Sequence, residues 1–383
     1  METDDLDWKS ALPPAKGLTQ SDFPKDIAAM ANSGGGTIVY GVEESQKSAV
    51  SRSDIGDLDE GHERALRSAA VTAISPPVFG LGIHRLGTAE YRAVAIVVPP
   101  SVDGPHLIYK GEYFGAPVRN DADTVWMKER QVEAMYRTRF DERRHAAEAL
   151  ANLYDEAAAG RDSDKRAWLI AVAHPRLPAF GRSQLTRDIA RRIFDASRDE
   201  ALSYANRRGI HPLKSVDHLN PRPGLRRWIA PNVATERSRW KEAWASIHHD
   251  GSATIAAAIG GHRASTNTFH SGDRIESAAI EAAVADFMAL IRSTGDPLSA
   301  SEYEACVGIE WSGGTPLIIE AVDPQGLASD VSLPIARYTP VTATVQADVD
   351  DASYFQQVHD LAEDCVNQGG ITHLQAIGRP SQG

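Results

Sequence analysis

The hydrophobic pattern near the N-terminus predicts a helix followed by a buried strand. Ser21 or Asp22 can cap the helix, and the apolar residues that follow recur at helical spacing. The helix is expected to end in the run 32–36, Asn-Ser-Gly-Gly-Gly, because Asn and Gly accept the positive φ of a helix C-terminus. Residues 37–42 are almost continuously apolar, which indicates a buried strand.

Alternation between helix and strand patterns continues through the first 140 residues. A second helix is predicted over residues 60–74, where two prolines follow and prevent its continuation. A strand is predicted over residues 91–98, again followed by two prolines. Strands and helices that alternate in this way are typical of a layered α/β or α+β fold.

A long helical stretch divides the chain into two parts. Residues 127–159 are rich in helix formers and carry apolar residues at helix-like intervals. We therefore predict an α+β protein with an N-terminal domain over residues 1–140 and a second α/β domain over residues 161–383. A helical connector over residues 141–160 would join the two domains.

The second domain has the pattern of an α/β region with an antiparallel hairpin. Asp250-Gly251 stands between two strand-like segments, and both residues tolerate the positive φ of a tight hairpin turn. The other predicted elements are strands over 168–173, 304–311 and 316–322 and helices over 185–206, 275–291 and 353–367. Residues 377–383 are predicted to form a frayed tail.

Composition excludes several classes of protein. No apolar stretch approaches the ~20 residues that a membrane helix requires, and the first residues are acidic rather than basic and apolar. These features predict a cytoplasmic protein without membrane partners. With two cysteines far apart in sequence, the chain can form neither a disulfide scaffold nor a cysteine-rich zinc site.

The net charge of −12 hides an uneven distribution of charge along the chain. Residues 161–242 contain 18 Lys or Arg and 9 Asp or Glu, whereas residues 273–364 contain 3 basic and 17 acidic residues. The basic segment could bind a nucleic-acid backbone, or it could be solubilising surface or pair with the acidic segment. The arginines proposed for nucleic-acid binding are Arg187, Arg191, Arg192, Arg207, Arg208, Arg226 and Arg227.

Three N-terminal segments together resemble the Schlafen AlbA_2 domain family. They are Asp7-Trp8-Lys9, the run 27–35 (Ile-Ala-Ala-Met-Ala-Asn-Ser-Gly-Gly) and the run 38–44 (Ile-Val-Tyr-Gly-Val-Glu-Glu). The resemblance covers roughly residues 1–140, and it makes Asn32, Gly35, Gly36 and Gly41 part of the structural motif of the fold. For Asn32 and the glycines, helix capping and close packing account for the residues better than a phosphate-binding loop.

The resemblance implies a function on nucleic acid. In eukaryotic Schlafen proteins this fold carries metal-dependent endoribonuclease activity on transfer RNA and related structured RNA, whereas many bacterial members are regarded as regulators. It therefore favours RNA over DNA as partner and Mg²⁺ or Mn²⁺ as cofactor. ATP hydrolysis is not expected, because the chain contains no Gly-x-x-x-x-Gly-Lys-Ser/Thr loop.

The resemblance also implies the residues of a catalytic site. The metal-binding acids of the family fall on Glu2, Asp7 and either Glu43 or Glu44, so Asp7 and Glu44 are the implied catalytic acids. Lys9 lies two residues after Asp7, hence on the same face of a strand, where it could contact the scissile phosphate.

Non-catalytic roles are equally compatible with these residue types. The acids could be solvated loop residues, and Lys9 could guard a sheet edge. At the level of the whole chain, the alternatives to a nuclease are a non-catalytic DNA- or RNA-binding regulator and a homo-oligomeric scaffold.

Overall fold

The protein is α+β, as predicted, and its chain forms two compact units. The computed structural model describes all residues except 1, 89, 111–112, 178–184, 207–208, 264–267, 299, 323–327 and 379–383. The first unit spans Met1–Arg144 and the second spans His145–Gly383. Within the described part of the chain, no helix is long and apolar enough to cross a membrane.

The first unit contains two helices, eleven strands and the beginning of a third helix among its described residues. In chain order they are β1 (Leu6–Lys9), α1 (Phe23–Asn32), β2 (Gly36–Tyr40), β3 (Val42–Ser45), β4 (Ser48–Arg52), α2 (Glu60–Thr72), β5 (Ile74–Ser75), β6 (Gly82–Thr88), β7 (Tyr91–Val98), β8 (Leu107–Lys110), β9 (Tyr113–Gly115), β10 (Pro117–Asn120), β11 (Asp123–Trp126) and α3 (Glu129–Ala158).

A four-stranded sheet in the order β1-β2-β7-β6 forms the centre of the first unit. Strand β1 pairs in parallel with β2, and the remaining pairs are antiparallel. Helix α1 packs Ile27 and Met30 against Ile38 and Ile96 of this sheet, all of them almost completely buried. The apolar spacing read from the sequence therefore corresponds to the buried face of α1.

The end of α1 is fixed by side chains that bind distant backbone. The Asn32 amide Nδ2 donates to the carbonyls of His106 (3.0 Å) and Pro117 (2.8 Å), and its Oδ1 accepts from the His106 N–H (2.7 Å). Ser33 Oγ accepts from the backbone N–H of Arg119 (2.9 Å). These bonds join α1 to β10, so Asn32 does more than cap a helix.

Two glycines of the same motif allow close backbone contacts. Gly35 has φ 92°, and a Cβ there would lie 2.8 Å from the carbonyl oxygen of Val98. A Cβ on Gly36 would lie 2.8 Å from the carbonyl oxygen of Asp5, so this glycine lets β2 approach the segment before β1. Gly41 also has a positive φ, of 97°.

The second unit contains the end of α3 and the remaining elements. They are β12 (Trp168–Pro175), α4 (Arg187–Tyr204), β13 (Arg222–Gly224), β14 (Arg227–Ala230), β15 (Ala243–His248), β16 (Ala253–Ala258), β17 (Arg274–Glu276), α5 (Ser277–Leu298), β18 (Glu302–Glu310), β19 (Ile318–Val322), β20 (Ala328–Val331), β21 (Val341–Gln346) and α6 (Asp351–Asn367).

An antiparallel seven-stranded sheet, in the order β13-β14-β15-β16-β12-β18-β21, organises the second unit. The larger core lies between this sheet and helices α4, α5 and α6. A smaller core forms where Leu150, Leu153 and Tyr154 of α3 pack against Trp168, Ile170 and neighbouring residues. Gly308 of β18 gives Tyr154 room to lie close to the sheet, because a Cβ at this position would meet its phenol oxygen.

The predicted hairpin around Asp250-Gly251 is present as β15 and β16, and Gly251 has φ 94°. The helical stretch predicted over 127–159 forms the single helix α3. The helix predicted from residue 275 starts two residues later, because residues 274–276 pair with β19 instead.

The prediction of a frayed tail from residue 377 is wrong at its first residue. Ile377 is buried, and its N–H donates to the carboxylate of Glu281 (3.0 Å), which also accepts from the N–H groups of Gln375 and Ala376. Glu281 itself lies fully buried in α5. A buried carboxylate requires such donors, and the C-terminal segment provides them. Residues 379–383 lie outside the described residues.

We expect Asn32→Ala to lower the free energy of unfolding by roughly 2–4 kcal/mol, because three hydrogen bonds are lost and their backbone partners become unsatisfied. Denaturant titration of the full chain, followed by circular dichroism, measures the change. Asn120→Ala, at an exposed position of the same unit, is the control and should change stability by less than about 0.5 kcal/mol. Equal stability of the two variants would contradict a clamping role for Asn32.

Candidate functional site

Strand β1 presents Asp7 and Lys9 on the same side, as their spacing predicts. Lys9 Nζ lies 3.0 Å from Asp7 Oδ2. Asp7 is almost fully buried at 3% exposure, although it lies on an edge strand of the sheet. The parallel pairing of β1 with β2 places these residues opposite Ile38 and Tyr40. A buried aspartate needs a cationic partner, and Lys9 provides it.

Two further charged residues complete the surroundings of Asp7. Arg119 of β10 brings its guanidinium to 3.5 Å from Asp7 Oδ1 and is itself buried. Asp26 of α1 lies 3.6 Å from Lys9 Nζ. The sequence analysis did not single out Asp26 or Arg119 as site residues. One signal was available for Asp26, since it lies three residues after Phe23 on the apolar face of α1.

Glu2 and Glu44 come together beside this ion-pair network. Glu2 is buried at 7% exposure, its N–H donates to the Lys47 carbonyl (2.7 Å) and its carboxylate accepts from the Trp8 N–H (3.2 Å). Its side chain also shares a hydrogen bond with that of Glu44. The segment around Glu2 is therefore held by the β3–β4 hairpin.

The proximity of these acids changes their protonation. Burial, together with the hydrogen bond to Glu44, raises the pKa of Glu2 from 4.5 to about 7, and the negative charge of Asp7 contributes in the same direction. A Glu2 carboxyl with this pKa is about half protonated at neutral pH.

The pKa values of Lys9 and Asp26, two neighbours of Asp7, are both raised. Burial lowers the pKa of Lys9, but Asp26 and Asp7 outweigh that effect and raise it. Burial raises the pKa of Asp26 despite the opposing charges of Lys9 and Lys25. Lys9 thus stays protonated between the carboxylates of Asp7 and Asp26.

Glu43 takes a different orientation from Glu44. A register shift between Glu43 and Glu44 interrupts the pairing of β3 with β4, and Glu43 is exposed and accepts a hydrogen bond from Ser51 Oγ (3.0 Å). Of the two alternatives that the resemblance left open, Glu44 is the one that lies beside Glu2.

The three predicted metal-binding acids are near one another without forming a closed ligand cage. Among the described residues, the one group whose three ligand atoms all lie within 4.8 Å of each other is His359, Asp360 and Glu363 of α6. The carboxylates of Glu2, Asp7 and Glu44 would have to move closer together to share one cation.

His106 is a packed residue rather than a surface contact. It is fully buried, with ring nitrogens 2.8 Å from the Pro76 carbonyl and 2.8 Å from Ser101 Oγ. Burial lowers its pKa, so the ring is neutral at pH 7. The His106 ring is therefore part of the packed interior of the first unit and is not exposed to a ligand.

The arginines of the basic segment differ in their exposure to solvent and in their ion-pair partners. Arg187, Arg191 and Arg192 are exposed on α4, and Arg226 is exposed at the turn between β13 and β14, with φ 52°. Arg227 is partly buried and pairs with Glu156 (2.6 Å). Arg207 and Arg208 lie outside the described residues. Of the four exposed arginines, Arg187 donates to the Pro221 carbonyl (3.2 Å) and Arg191 lies 3.9 Å from Asp188.

Comparison with known proteins identifies the N-terminal part of the chain. Residues 2–128 match the family described as Schlafen, AlbA_2. This match confirms the resemblance inferred from the motifs of the first unit. The match ends at the start of α3. The comparison with curated proteins finds no match.

Two solved structures are among those similar to the chain. The DIP2311 protein from Corynebacterium diphtheriae is 15% identical with a TM-score of 0.24, and the match covers 51% of this chain and 33% of that one. The chain thus matches about a third of the length of DIP2311. The N-terminal domain of a protein from Nitrosomonas europaea, described as related to the ATP-dependent DNA helicase RecG, is 15% identical with a TM-score of 0.23. That match covers 33% of this chain and 80% of the domain.

The raised pKa of Glu2 predicts how stability depends on pH. Between about pH 4.5 and pH 7 the folded chain holds a proton that the unfolded chain releases, so this carboxyl lowers the free energy of unfolding as pH rises. We expect Glu2→Gln to raise the free energy of unfolding by about 1–3 kcal/mol relative to wild type between about pH 5 and pH 8.

Denaturant titrations at several pH values, with a chelator present, measure this difference. Ser48→Ala, in the same hairpin, removes no ionisable group and should keep the wild-type dependence on pH. If the difference between Glu2→Gln and wild type does not change with pH, Glu2 does not hold the proton.

Proposed function

We propose that the N-terminal domain acts on nucleic acid and cleaves structured RNA, such as transfer RNA, with Mg²⁺ or Mn²⁺. The observation that carries this proposal is that the Glu2 side chain interacts with both Asp7 of β1 and Glu44 of β3, while Lys9 lies 3.0 Å from Asp7. The family match supports the association with nucleic acid. RNA is favoured over DNA on the ground of the resemblance to Schlafen nucleases.

The acids fit a hard divalent cation by their chemistry. Carboxylate oxygens are the ligands that Mg²⁺ and Mn²⁺ prefer, and Glu2, Asp7 and Glu44 would hold the ion. Protonation of Glu2 relieves the repulsion between the crowded acids, and a cation would take over that role. A divalent ion in this position neutralises phosphate charge and activates the attacking nucleophile.

The cations of the site would act on the phosphate itself. Lys9 keeps its proton among the carboxylates, and its side chain is 40% exposed, so its Nζ can donate to a phosphate oxygen. Arg119, which is buried, holds Asp7 in position through the 3.5 Å ion pair rather than by contacting substrate. Lys9 is accordingly the proposed catalytic cation and Arg119 a positioning residue.

One observation favours a second candidate function, nucleic-acid binding without cleavage. Asp7 already has two cationic partners, Lys9 and Arg119, which partly satisfy its charge. A metal ion must compete with both for the same carboxylate. A chain with this network could bind RNA or DNA, through Lys9 in the first unit or through the basic segment in the second, and leave it intact.

Cleavage of a transfer-RNA pool tests the proposal. We expect the wild-type chain to cleave with Mg²⁺ or Mn²⁺ and not with a chelator. Asp7→Asn and Glu44→Gln should each reduce the rate by at least about 100-fold, because loss of a metal ligand removes several kcal/mol of transition-state stabilisation. Gel electrophoresis of end-labelled RNA provides the measurement.

Glu43→Gln is the matched control, because it removes the adjacent carboxylate that faces away from Glu2, and it should keep wild-type activity. Intact RNA in every lane would contradict the nuclease. A salt-sensitive mobility shift of that intact RNA would then support binding without cleavage, and the absence of a shift would favour a scaffold.

The exposed arginines of α4 should contribute to RNA binding in either case. We expect Arg191→Gln combined with Arg192→Gln to reduce the slope of log affinity against log salt by about 2, since each phosphate contact contributes about 0.9. Filter binding at several salt concentrations measures the slope. Arg337→Gln, at an exposed position in the acidic segment, is the control. Identical slopes for wild type and the double variant would exclude this face of α4 as the RNA-binding surface.

A further inference from the structure

A cavity of about 300 Å³ lies in the second unit between α3 and one face of the sheet. Its apolar walls are Leu153 and Ala157 of α3, Ile229 of β14 and Ala256 of β16. Alternate residues of β15, namely 244, 246 and 248, line it as well, as expected for one face of a strand. The volume lies at the lower end of the range for sites that bind small molecules.

Several polar atoms in this cavity have no hydrogen-bond partner. Among the described residues, eleven buried side-chain nitrogen or oxygen atoms lack one, and three of them belong to residues that line this cavity. They are Arg227 Nε, Trp244 Nε1 and His248 Nε2. Arg227 Nε and Trp244 Nε1 both carry a hydrogen, and buried N–H groups without an acceptor are costly, so this pair indicates an acceptor that is brought by a ligand.

The charges around the cavity favour an anionic ligand. The cavity is lined by two arginines and one glutamate. Arg227 pairs with Glu156 at 2.6 Å. The Arg161 guanidinium lies over the rings of Trp168 (5.2 Å) and Trp244 (5.3 Å). Burial lowers the pKa of His248, so its ring adds no negative or positive charge at pH 7. The cavity therefore combines excess positive charge with N–H donors.

The apolar walls of the cavity favour an apolar body for the part of the ligand that lies away from its anionic group. Leu153, Ile229 and Ala256 offer no hydrogen-bonding side chains, and the Trp244 indole adds a flat apolar surface. The Glu156 side chain is 54% exposed, so the cavity reaches solvent beside the Arg227–Glu156 pair. A ligand can place its anionic group at the arginines and its apolar part against the walls.

We propose that this cavity binds a small organic anion, in which a phosphate or carboxylate group accepts hydrogen bonds from Arg227 and Trp244 while a planar apolar body contacts Leu153 and Ile229. The site is separate from the acidic cluster of the first unit, and it does not depend on nuclease activity. Arg227 is thereby assigned to a small-molecule site rather than to the polyanion surface formed by Arg191 and Arg192.

Isothermal titration calorimetry of the full chain tests the proposal. The probes are phenyl phosphate, benzoate, inorganic phosphate and the neutral analogue phenol. We expect phenyl phosphate or benzoate to bind at least about tenfold tighter than both phenol and inorganic phosphate, because the site requires both an anionic group and an apolar body. The order of phenyl phosphate and benzoate identifies the preferred anionic group.

Variants separate a binding site from a structural network. Arg227→Met should lower the affinity for the tighter-binding probe at least about tenfold. Arg226→Met removes an exposed charge from the neighbouring position and should leave that affinity unchanged. If Arg227→Met does not fold, Trp244→Phe takes its place in the test. This variant removes the indole N–H while keeping an aromatic ring, and it should lower the affinity for the same probe several-fold. Binding of phenyl phosphate and benzoate that is no tighter than that of phenol, or is unaffected by either folded variant, would overturn the proposal.

Discussion

The need of a buried carboxylate for a cationic partner shapes the N-terminal domain. Asp7 is withdrawn from water, so Lys9 must lie beside it on β1 and Arg119 must reach it from β10. Asn32 and Ser33, at the end of α1, bind the backbone of the segment that carries Arg119. The signature residues of the family thus support the ion pair through which β1, α1 and β10 meet.

Sequence reasoning was most successful where a short-range pattern carries the information. The spacing of Asp7 and Lys9, the helix end at Asn32 and the hairpin at Asp250-Gly251 all follow from the geometry of one strand, one helix or one turn. Asp26 and Arg119 enter the site from elements far along the chain, and their approach is determined by tertiary packing. Local spacing could not reveal that Arg227 belongs to a cavity while Arg226, its neighbour, is exposed.

The two units contain buried or partly buried charges of opposite sign. In the first unit, the repulsion between crowded carboxylates is relieved by protonation of Glu2 and by the positive charge of Lys9. In the second unit, Arg161 lies over tryptophan rings and Arg227 pairs with a single glutamate, Glu156. Because N–H groups beside them lack acceptors, this region attracts an anion. The acidic chain therefore contains local sites of both signs, which its net charge of −12 conceals.

The attachment of the C-terminal segment to Glu281 bears on how far the second unit can be shortened. Three successive N–H groups, of Gln375, Ala376 and Ile377, solvate a carboxylate in the middle of a buried helix. A chain cut before residue 375 would leave that carboxylate in the core without these donors, at a cost of at least about 1–3 kcal/mol. Deletion boundaries and protease-resistant fragments of this unit should therefore retain residues 375–377, although the last helix ends at Asn367.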